Sequence, residues 1–482
     1  MKLWITSLIL NILMTECLAK MPPHIIFIVA DDLGWNDVGW HNPEMHTPNL
    51  DNLARQGVIL DSSYVQQVCT PSRNCFMTGL YPFHTGLQHS IIKNYEARAL
   101  PEQFETLPEK LKTLGYSTHI IGKWHLGYCN WKYTPTYRGF DSFYGYYGGA
   151  EGYFSHKSKM RLSDVVNMTE EIIEPIQVNH VTKAKWYDFR FNKEVFYPKK
   201  RTYSTKLFSS RVIDIINESN TETEPLYLYI AFQSVHGPFQ VPKRYKKWYP
   251  ADMSENRRTY CGMVSALDEA VGDITDALET KGIMDNAVIV FTTDNGGHYY
   301  AGSNLPLRGY KGSLWEGGTR GVAFVYSPTF LKKSSYVNKE MIHAVDWFPT
   351  LLHVAGGTPD RSLDGVNQWK TISEGRRSSR EDFVYCIDDI QDRWAYRFRN
   401  FKLMYGQKPD LDNRWKVLRL FDIEKDPFEQ EDIAEKNIDI VEELKRMLNL
   451  YRDTQVPANY SNVKEITSLY RISKTILSPG WC

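Results

Sequence analysis

The chain has 482 residues, enough to bury a large core and to fold as more than one domain. Its 57 Lys and Arg balance 57 Asp and Glu, which speaks against a strongly basic nucleic-acid binder or an acidic solvating tail. The 13 Trp and 30 Tyr suit a globular protein with a ring-lined pocket, for which carbohydrate is one fitting ligand.

Lys2, the apolar run from Leu3 to Met14 and a small-residue end near Ala19 read as a secretory signal over residues 1–19. The run is too short to span a bilayer, and no later stretch is long and apolar enough. These features predict a soluble protein of the secretory pathway, lysosomal or secreted, with no transmembrane segment. Three Asn-x-Ser/Thr triplets, at Asn167, Asn217 and Asn459, are the glycosylation acceptors such a route would use. Removal of Cys17 with the signal leaves Cys69, Cys75, Cys129, Cys261, Cys386 and Cys482, too sparse for a disulfide scaffold. Cys75 and Cys261 sit in helix-like stretches that favour buried thiols, and the pairing of the others stays open.

HIIFIVADD opens the mature chain as a strand buried on both faces and ends in Asp31-Asp32. TPNLDNLARQG reads as a short helix stopped by Gly57, and VILDSSYVQQ as a strand-like approach to Cys69. In CTPSRNCFMTG, Pro71 favours the first turn of a helix, placing Cys69 at or just before its N-terminus. Helix, strand and loop follow in TLPEKLKTLGYSTHIIGKWHLG, the loop carrying Lys123 and His125. From Tyr144 to about Thr205 the pattern dissolves into aromatic and charged residues, read as loop and β-ribbon excursions. YSTKLFSSRVIDIINES is helical, and PLYLYIAFQSVHGP is a buried strand that runs to His236. RTYCGMVSALDEAVGDITDALETKG is a long helix, and NAVIVFTTDNGG a strand ending at Asp294-Asn295. Another strand and helix follow. This alternation predicts an α/β fold with a large, mostly parallel sheet covered by helices over residues 20–375. Residues 376–482 read as a small subdomain with an antiparallel sheet and one helix, EDIAEKNIDIVEELKRMLNLYRDT.

Open α/β sheets bind ligands outside the carboxyl ends of their strands, where Asp31-Asp32, Lys123/His125, His236 and Asp294-Asn295 all fall. Each cluster alone is an ordinary turn. Together their chemistry is complementary. Asp31, Asp32, Asp294 and Asn295 are hard oxygen ligands suited to Ca2+ or Mg2+. Arg73, Lys123 and Lys311 add charge for an anion. His125 and His236 are candidates for proton transfer.

VADDLGW, CTPSR, GKWHLG, SVHGPFQVP, TDNGG and PLRGYKGSLWEGG, in that order, resemble the sulfatase family, with THIIGKWHLG and WKTISEG pointing to its arylsulfatase B branch. The likeness runs from about Pro23 to about Arg452. It implies an alkaline-phosphatase-like fold and hydrolysis of a sulfate ester on a glycan or aryl alcohol, with 4-sulfated N-acetylgalactosamine as the branch's substrate. Cys69 would be oxidised to formylglycine by a formylglycine-generating enzyme. Its hydrate would offer one hydroxyl to accept sulfate and a second to expel it. The resemblance places one Ca2+, or Mg2+ in its stead, on Asp31, Asp32, Cys69, Asp294 and Asn295. Arg73 and Lys123 would hold the hydrate and the sulfate, and His125 would take the proton that releases sulfate. His236 and Lys311 would orient the substrate and help protonate the leaving alcohol. Three positions depart from the branch's pattern. Leu80 stands where a basic residue usually follows Thr-Gly, Gly237 stands where Glu is usual, and a CQPSC-like segment is absent. The alternatives are a phosphate or phosphonate ester hydrolase of the same superfamily and a non-catalytic glycan-binding homologue.

Overall fold

The computed structural model describes residues 21–94, 96–161, 183–199, 201–407, 416–460, 476 and 478–482. The signal segment and Asn167 lie outside these residues. A ten-stranded sheet runs through the molecule, and its centre is five parallel strands. In chain order these are β1 (His24–Ala30), β2 (Ser117–Lys123), β3 (Ser142–Tyr146), β4 (Leu226–Ala231) and β5 (Ala287–Thr293). They lie side by side as β5-β1-β4-β2-β3.

The period of two along β1 divides the core. Ile25, Phe27 and Val29 point to one side, against Phe76, Met77 and Trp347. Ile26, Ile28 and Ala30 point to the other, against Phe208, Val264 and Leu267. Both faces are therefore dry, as the unbroken apolar run requires. The first side is covered by helix α1 (Cys69–Thr78), the second by α2 (Ser204–Glu218) and α3 (Glu255–Thr280). Ser254 starts α3 by accepting the Arg257 N–H, and Gly282 at φ 77° turns the chain away after it.

The expected elements are present with three adjustments. The flanks of the sheet are mixed: Ala323–Tyr326 runs antiparallel to β5 and to Val58–Leu60, and Arg190–Phe191 antiparallel to β3. The stretch after Tyr144 is not all excursion, because β3 pairs in parallel with β2 as the last member of the central set. The C-terminal helical stretch is interrupted at Asn437, with a 3-10 turn at Ala434–Lys436 before helix α4 (Ile438–Arg452).

Four antiparallel strands form the second sheet: β6 (Asp382–Asp388), β7 (Arg393–Phe398), β8 (Phe401–Tyr405) and β9 (Arg419–Asp422). Its core is continuous with that of the large sheet, since Phe383, Tyr385 and Leu403 belong to the cluster that holds Phe27. A buried ionic knot reinforces the junction. Lys402 Nζ lies 3.0 Å from Glu316 Oε1 and 2.7 Å from Glu429 Oε1, all three side chains fully buried. Tyr64 donates to Glu316 Oε2 at 2.8 Å and Tyr385 donates to Oε1 at 3.0 Å. Removing the cation strands two carboxylates in the interior. Lys402→Met should lower unfolding stability by about 3–5 kcal/mol in denaturant titration, whereas an exposed pair such as Lys436–Glu431 should contribute under about 1 kcal/mol.

Cys129, just beyond the Lys123–His125 turn, is disulfide-bonded to Cys482. The Gly480 and Trp481 N–H groups also donate to the Cys129 carbonyl, at 2.8 and 3.0 Å. The chain's C-terminus is thus fastened beside the β2 exit. Cys69, Cys75, Cys261 and Cys386 are buried free thiols.

Candidate active site

The parallel strands deliver their polar residues to one edge. Asp31-Asp32 follow β1, Lys123 ends β2, and Asp294-Asn295 follow β5. Beyond β4 the chain loops before His236. Asp31 holds that loop, its N–H donating to the Ser234 carbonyl at 2.8 Å while its own carbonyl accepts the Val235 N–H at 2.5 Å. Asp32 and His125 have φ of 61° and 59°, left-handed values that cost about 1–3 kcal/mol each and are maintained by the surrounding packing.

Cys69 occupies the first turn of α1, and Arg73 lies four residues on, on the same face. The Cys69 Sγ is 3.5 Å from Asp31 Oδ1 and 3.7 Å from Lys311 Nζ. Arg73 donates to Asp294 Oδ2 from Nε at 3.0 Å and from Nη2 at 2.8 Å, and to the Lys123 carbonyl from Nη1 at 3.1 Å. Lys123 Nζ is 2.7 Å from Asp31 Oδ2, and Lys311 Nζ is 2.6 Å from Asp32 Oδ1. Three carboxylates therefore face three cations in a site whose side chains are almost all fully buried. Only His236, at 23% side-chain exposure, and Lys311, at 18%, reach water appreciably.

The pairing consumes one oxygen of each aspartate and leaves the other. Among the described residues, Asp32 Oδ2 and Asn295 Oδ1 are buried without a hydrogen-bond partner. Among the same residues, Asp294 Oδ1 accepts a single 3.3 Å bond from the Asp32 N–H, and Asp31 Oδ1 meets only the thiol. Asn295 Nδ2 donates to Asp32 Oδ1 at 2.8 Å, so its oxygen is turned away from that contact. Four hard oxygens left this way fit a divalent cation, because such atoms are costly to bury unmatched. Asp31, Asp32, Cys69 and His236 also present ligand atoms within 4.8 Å of one another. His236 is thus nearer the acidic pair than its sequence-based role beside the leaving group required; its Nε2 lies 3.8 Å from Asp32 Oδ2.

The electrostatics follow from this packing. Burial pushes the Asp32 carboxyl up, but Lys311 and His236 outweigh it and hold its pKa at about 2. Asp31 is likewise held below the ordinary carboxylate range, with Lys123 and His236 overcoming burial. Burial, then Asp294 and Asp31, push the Cys69 thiol up to about 12. An unmodified thiol here stays protonated at neutral pH and makes a weak nucleophile.

His125 is built from three distant segments. Its Nε2 lies 3.0 Å from the Ile92 carbonyl, which can only accept, so Nε2 carries the proton. Nδ1 is buried and has no partner among the described residues, which leaves a bare acceptor in the site. Burial, with Lys123 and Arg73, holds the ring far below its ordinary pKa and hence neutral. Thr70 clips this arrangement, its hydroxyl donating to the His125 carbonyl and accepting the Ile92 N–H, both at 3.1 Å. A Cβ at Gly149 would come within 2.8 Å of the imidazole, so a side chain there would displace the ring. Ile92, Thr70 and Gly149 were not legible as site residues. Thr70 is the variable position of C-x-P-S-R, and the other two lie in segments with no pattern of their own.

Residues 23–357 match the family model described as Sulfatase. The chain belongs to the sulfatase family. It is similar to "Arylsulfatase J" of Mus musculus, 41% identical over 91% of this chain and 77% of that one. It is similar also to "N-acetylgalactosamine-6-sulfatase" of Homo sapiens, 27% identical over 91% of this chain and 87% of the other. Among solved structures it resembles "Ps i-CgsB in complex with k-i-k-neocarrahexaose", with a TM-score of 0.79, 26% identity, and coverage of 94% of this chain and 97% of that one. This sulfatase is a sulfuric ester hydrolase with the alkaline-phosphatase-like fold expected of the family. The 41% match falls to an arylsulfatase J, so the narrower likeness to the arylsulfatase B branch rests on the sequence motifs alone. Among the described residues, no helix is long and apolar enough to cross a membrane.

Proposed function

We propose that this sulfatase removes sulfate from a hexosamine in a sulfated glycan, with formylglycine at position 69 and Ca2+ in the acidic cluster. The observation that carries the reading is the set of free oxygens around Cys69, with two lysines alongside and the bare Nδ1 of His125 in the same buried pocket. Asp31, Asp32, Asp294 and Asn295, with position 69, would hold the Ca2+ and Mg2+ is the alternative. The ion would supply positive charge to sulfate oxygens and to the nucleophile. Formylglycine, hydrated, supplies two hydroxyls on one carbon where the thiol supplies one sulfur.

The chain's own residues do the rest. Lys123 pairs with Asp31 and Arg73 with Asp294, which places positive charge beside position 69. His125, neutral with Nδ1 free, accepts the proton whose removal frees the sulfate. Lys311 steers the sulfate at the mouth of the pocket, and His236, the more exposed of the two imidazole groups, protonates the departing alcohol. Phosphate and phosphonate esters remain the competing substrates. Turnover of 4-nitrophenyl sulfate at a rate far above that of 4-nitrophenyl phosphate supports the proposal, and the reverse order rejects it.

The histidines separate on leaving-group ability. His236→Ala should slow an unactivated sugar sulfate by about 10²–10⁴-fold more than 4-nitrophenyl sulfate, whose phenolate leaves without a proton. His125→Ala should give one equivalent of alcohol and then stop. Equal losses on every substrate, with no burst, would show that the pair is misassigned. The arylsulfatase B motifs favour 4-sulfated N-acetylgalactosamine, and a comparison of 4- and 6-sulfated hexosamines decides the position. The same reading sends the chain through the secretory pathway, to a lysosomal or extracellular site. A formylglycine-generating enzyme would modify Cys69 on the way, and glycans would be carried on Asn167, Asn217 and Asn459. Asn217 and Asn459 are exposed.

A further inference from the structure

Beside the mouth of the pocket lies a group of aromatic rings that the reaction leaves unused. Tyr299, Tyr300 and Tyr310 are 65%, 50% and 41% exposed. A lone exposed ring is ordinary, but adjoining ones mark a binding surface. Tyr299 and Tyr300 meet at 4.6 Å between centroids and 87° between planes, forming a corner, and Tyr310 lies 5.6 Å from Tyr299. None of the three hydroxyls has a hydrogen-bond partner among the described residues.

The corner is held firmly to the site. His298 packs against Tyr300 at 4.2 Å, and Phe239 packs edge-on against Tyr300 at 5.7 Å and Tyr260 at 6.0 Å. Tyr260 in turn donates to the Asp32 carbonyl at 2.8 Å. The Lys311 N–H donates to the Gly297 carbonyl at 3.1 Å, joining the two loops that carry the rings. Tyr310 directly precedes Lys311, whose Nζ is 3.7 Å from Cys69 Sγ. The loop that carries Tyr310 therefore also carries Lys311 to the reacting position, and His236 and Lys311 are the site residues that open to water.

We propose that Tyr299, Tyr300 and Tyr310 form a stacking subsite for the pyranose linked to the sulfated sugar, so that this sulfatase acts on oligosaccharides in preference to monosaccharides. The proposal rests on the glycan reading above and extends it by one sugar unit. An ester that places its sulfate at Cys69 must direct its alcohol half outward past His236, and the rings stand there. Rigid amphipathic faces with free hydroxyls match a pyranose, which offers C–H groups on one face and hydroxyls at its rim. A lipid would require a broader aliphatic surface; Leu305, 67% exposed, lies on the loop joining the two ring-bearing segments.

The test is calorimetric titration of the full chain carrying Cys69→Ala, which binds without turnover. The probes are the monosaccharide N-acetylgalactosamine 4-sulfate, a chondroitin 4-sulfate trisaccharide with that sugar at its non-reducing end, and their 6-sulfated counterparts. The better trisaccharide should bind about tenfold more tightly than its monosaccharide, Tyr299→Ala should remove that advantage, and Tyr299→Phe should keep it. Equal affinities for the two lengths, an advantage that survives Tyr299→Ala, or no sugar binding at all would each overturn the subsite. Turnover of 4-nitrophenyl sulfate by the unsubstituted enzyme reports on the sulfatase reading separately.

Discussion

Cys69→Ala is expected to abolish turnover of 4-nitrophenyl sulfate, a loss of at least about 10⁴-fold, with the fold unchanged. The side chain is small and buried at the start of α1, so its truncation leaves a cavity of one sulfur and no unpaired charge. The stronger form of the prediction concerns the unsubstituted chain. Buried, with Asp294 and Asp31 beside it, the thiol is pushed up to about 12, and only a small fraction would ionise at neutral pH. Activity should therefore rise in proportion to the fraction of position 69 that intact-peptide mass spectrometry finds as formylglycine. Leu80 replaces the basic residue that commonly follows Thr-Gly, so conversion should be partial and Leu80→Arg should raise it. The backbone of Leu80 is tied to α1 by its N–H to Thr78 Oγ1 and its carbonyl to Asn74 Nδ2, and its side chain is half-buried. A longer, solvated side chain fits there. A fully active preparation with an entirely unmodified Cys69 thiol would refute the chemistry.

The parts of this site that a reader of the sequence could find are those fixed by local rules. A run such as HIIFIVA must be buried on both faces, so the acidic pair after it must fall at a strand end. Pro71 places Cys69 at a helix start, and the spacing of four to Arg73 puts both on one face. β3 escaped because SFYGY has no β-branched residue and carries a glycine. That glycine is required: a Cβ at Gly145 would sit 1.9 Å from the Gly122 carbonyl oxygen of β2. The seat of His125 escaped for a different reason. Ile92, Thr70 and Gly149 are united only by the tertiary fold, and a backbone carbonyl leaves no mark in the sequence. The Lys402 knot is of the same kind, since Glu316, Lys402 and Glu429 each read as ordinary surface charges until the two sheets are brought together.

Asp294→Ala is expected to remove activity as completely as the loss of Cys69, by a different route. Asp294 uses Oδ2 to receive two donors from Arg73 and leaves Oδ1 with a single 3.3 Å backbone contact. Truncation thus removes one hard oxygen from the cation site and strips Arg73 of its carboxylate. The guanidinium keeps the Lys123 carbonyl and a 3.8 Å approach to Asp31. A buried charge left with so little costs about 3–5 kcal/mol, so the thermal midpoint should fall as well. Asp294→Asn separates the two effects: it keeps the volume and an oxygen for the ion but replaces the charge-assisted bonds to Arg73 with weaker ones. Metal content distinguishes this role from a purely structural one. Elemental analysis of the purified enzyme should find one Ca2+ per chain, with Mg2+ as the substitute. A chelator should remove activity that added Ca2+ restores, and Asp294→Ala should bind the ion at least about tenfold more weakly. Stoichiometric zinc in the active enzyme, or full activity in Asp294→Ala, would overturn the assignment of Asp31, Asp32, Asp294 and Asn295 as a hard-oxygen cation site.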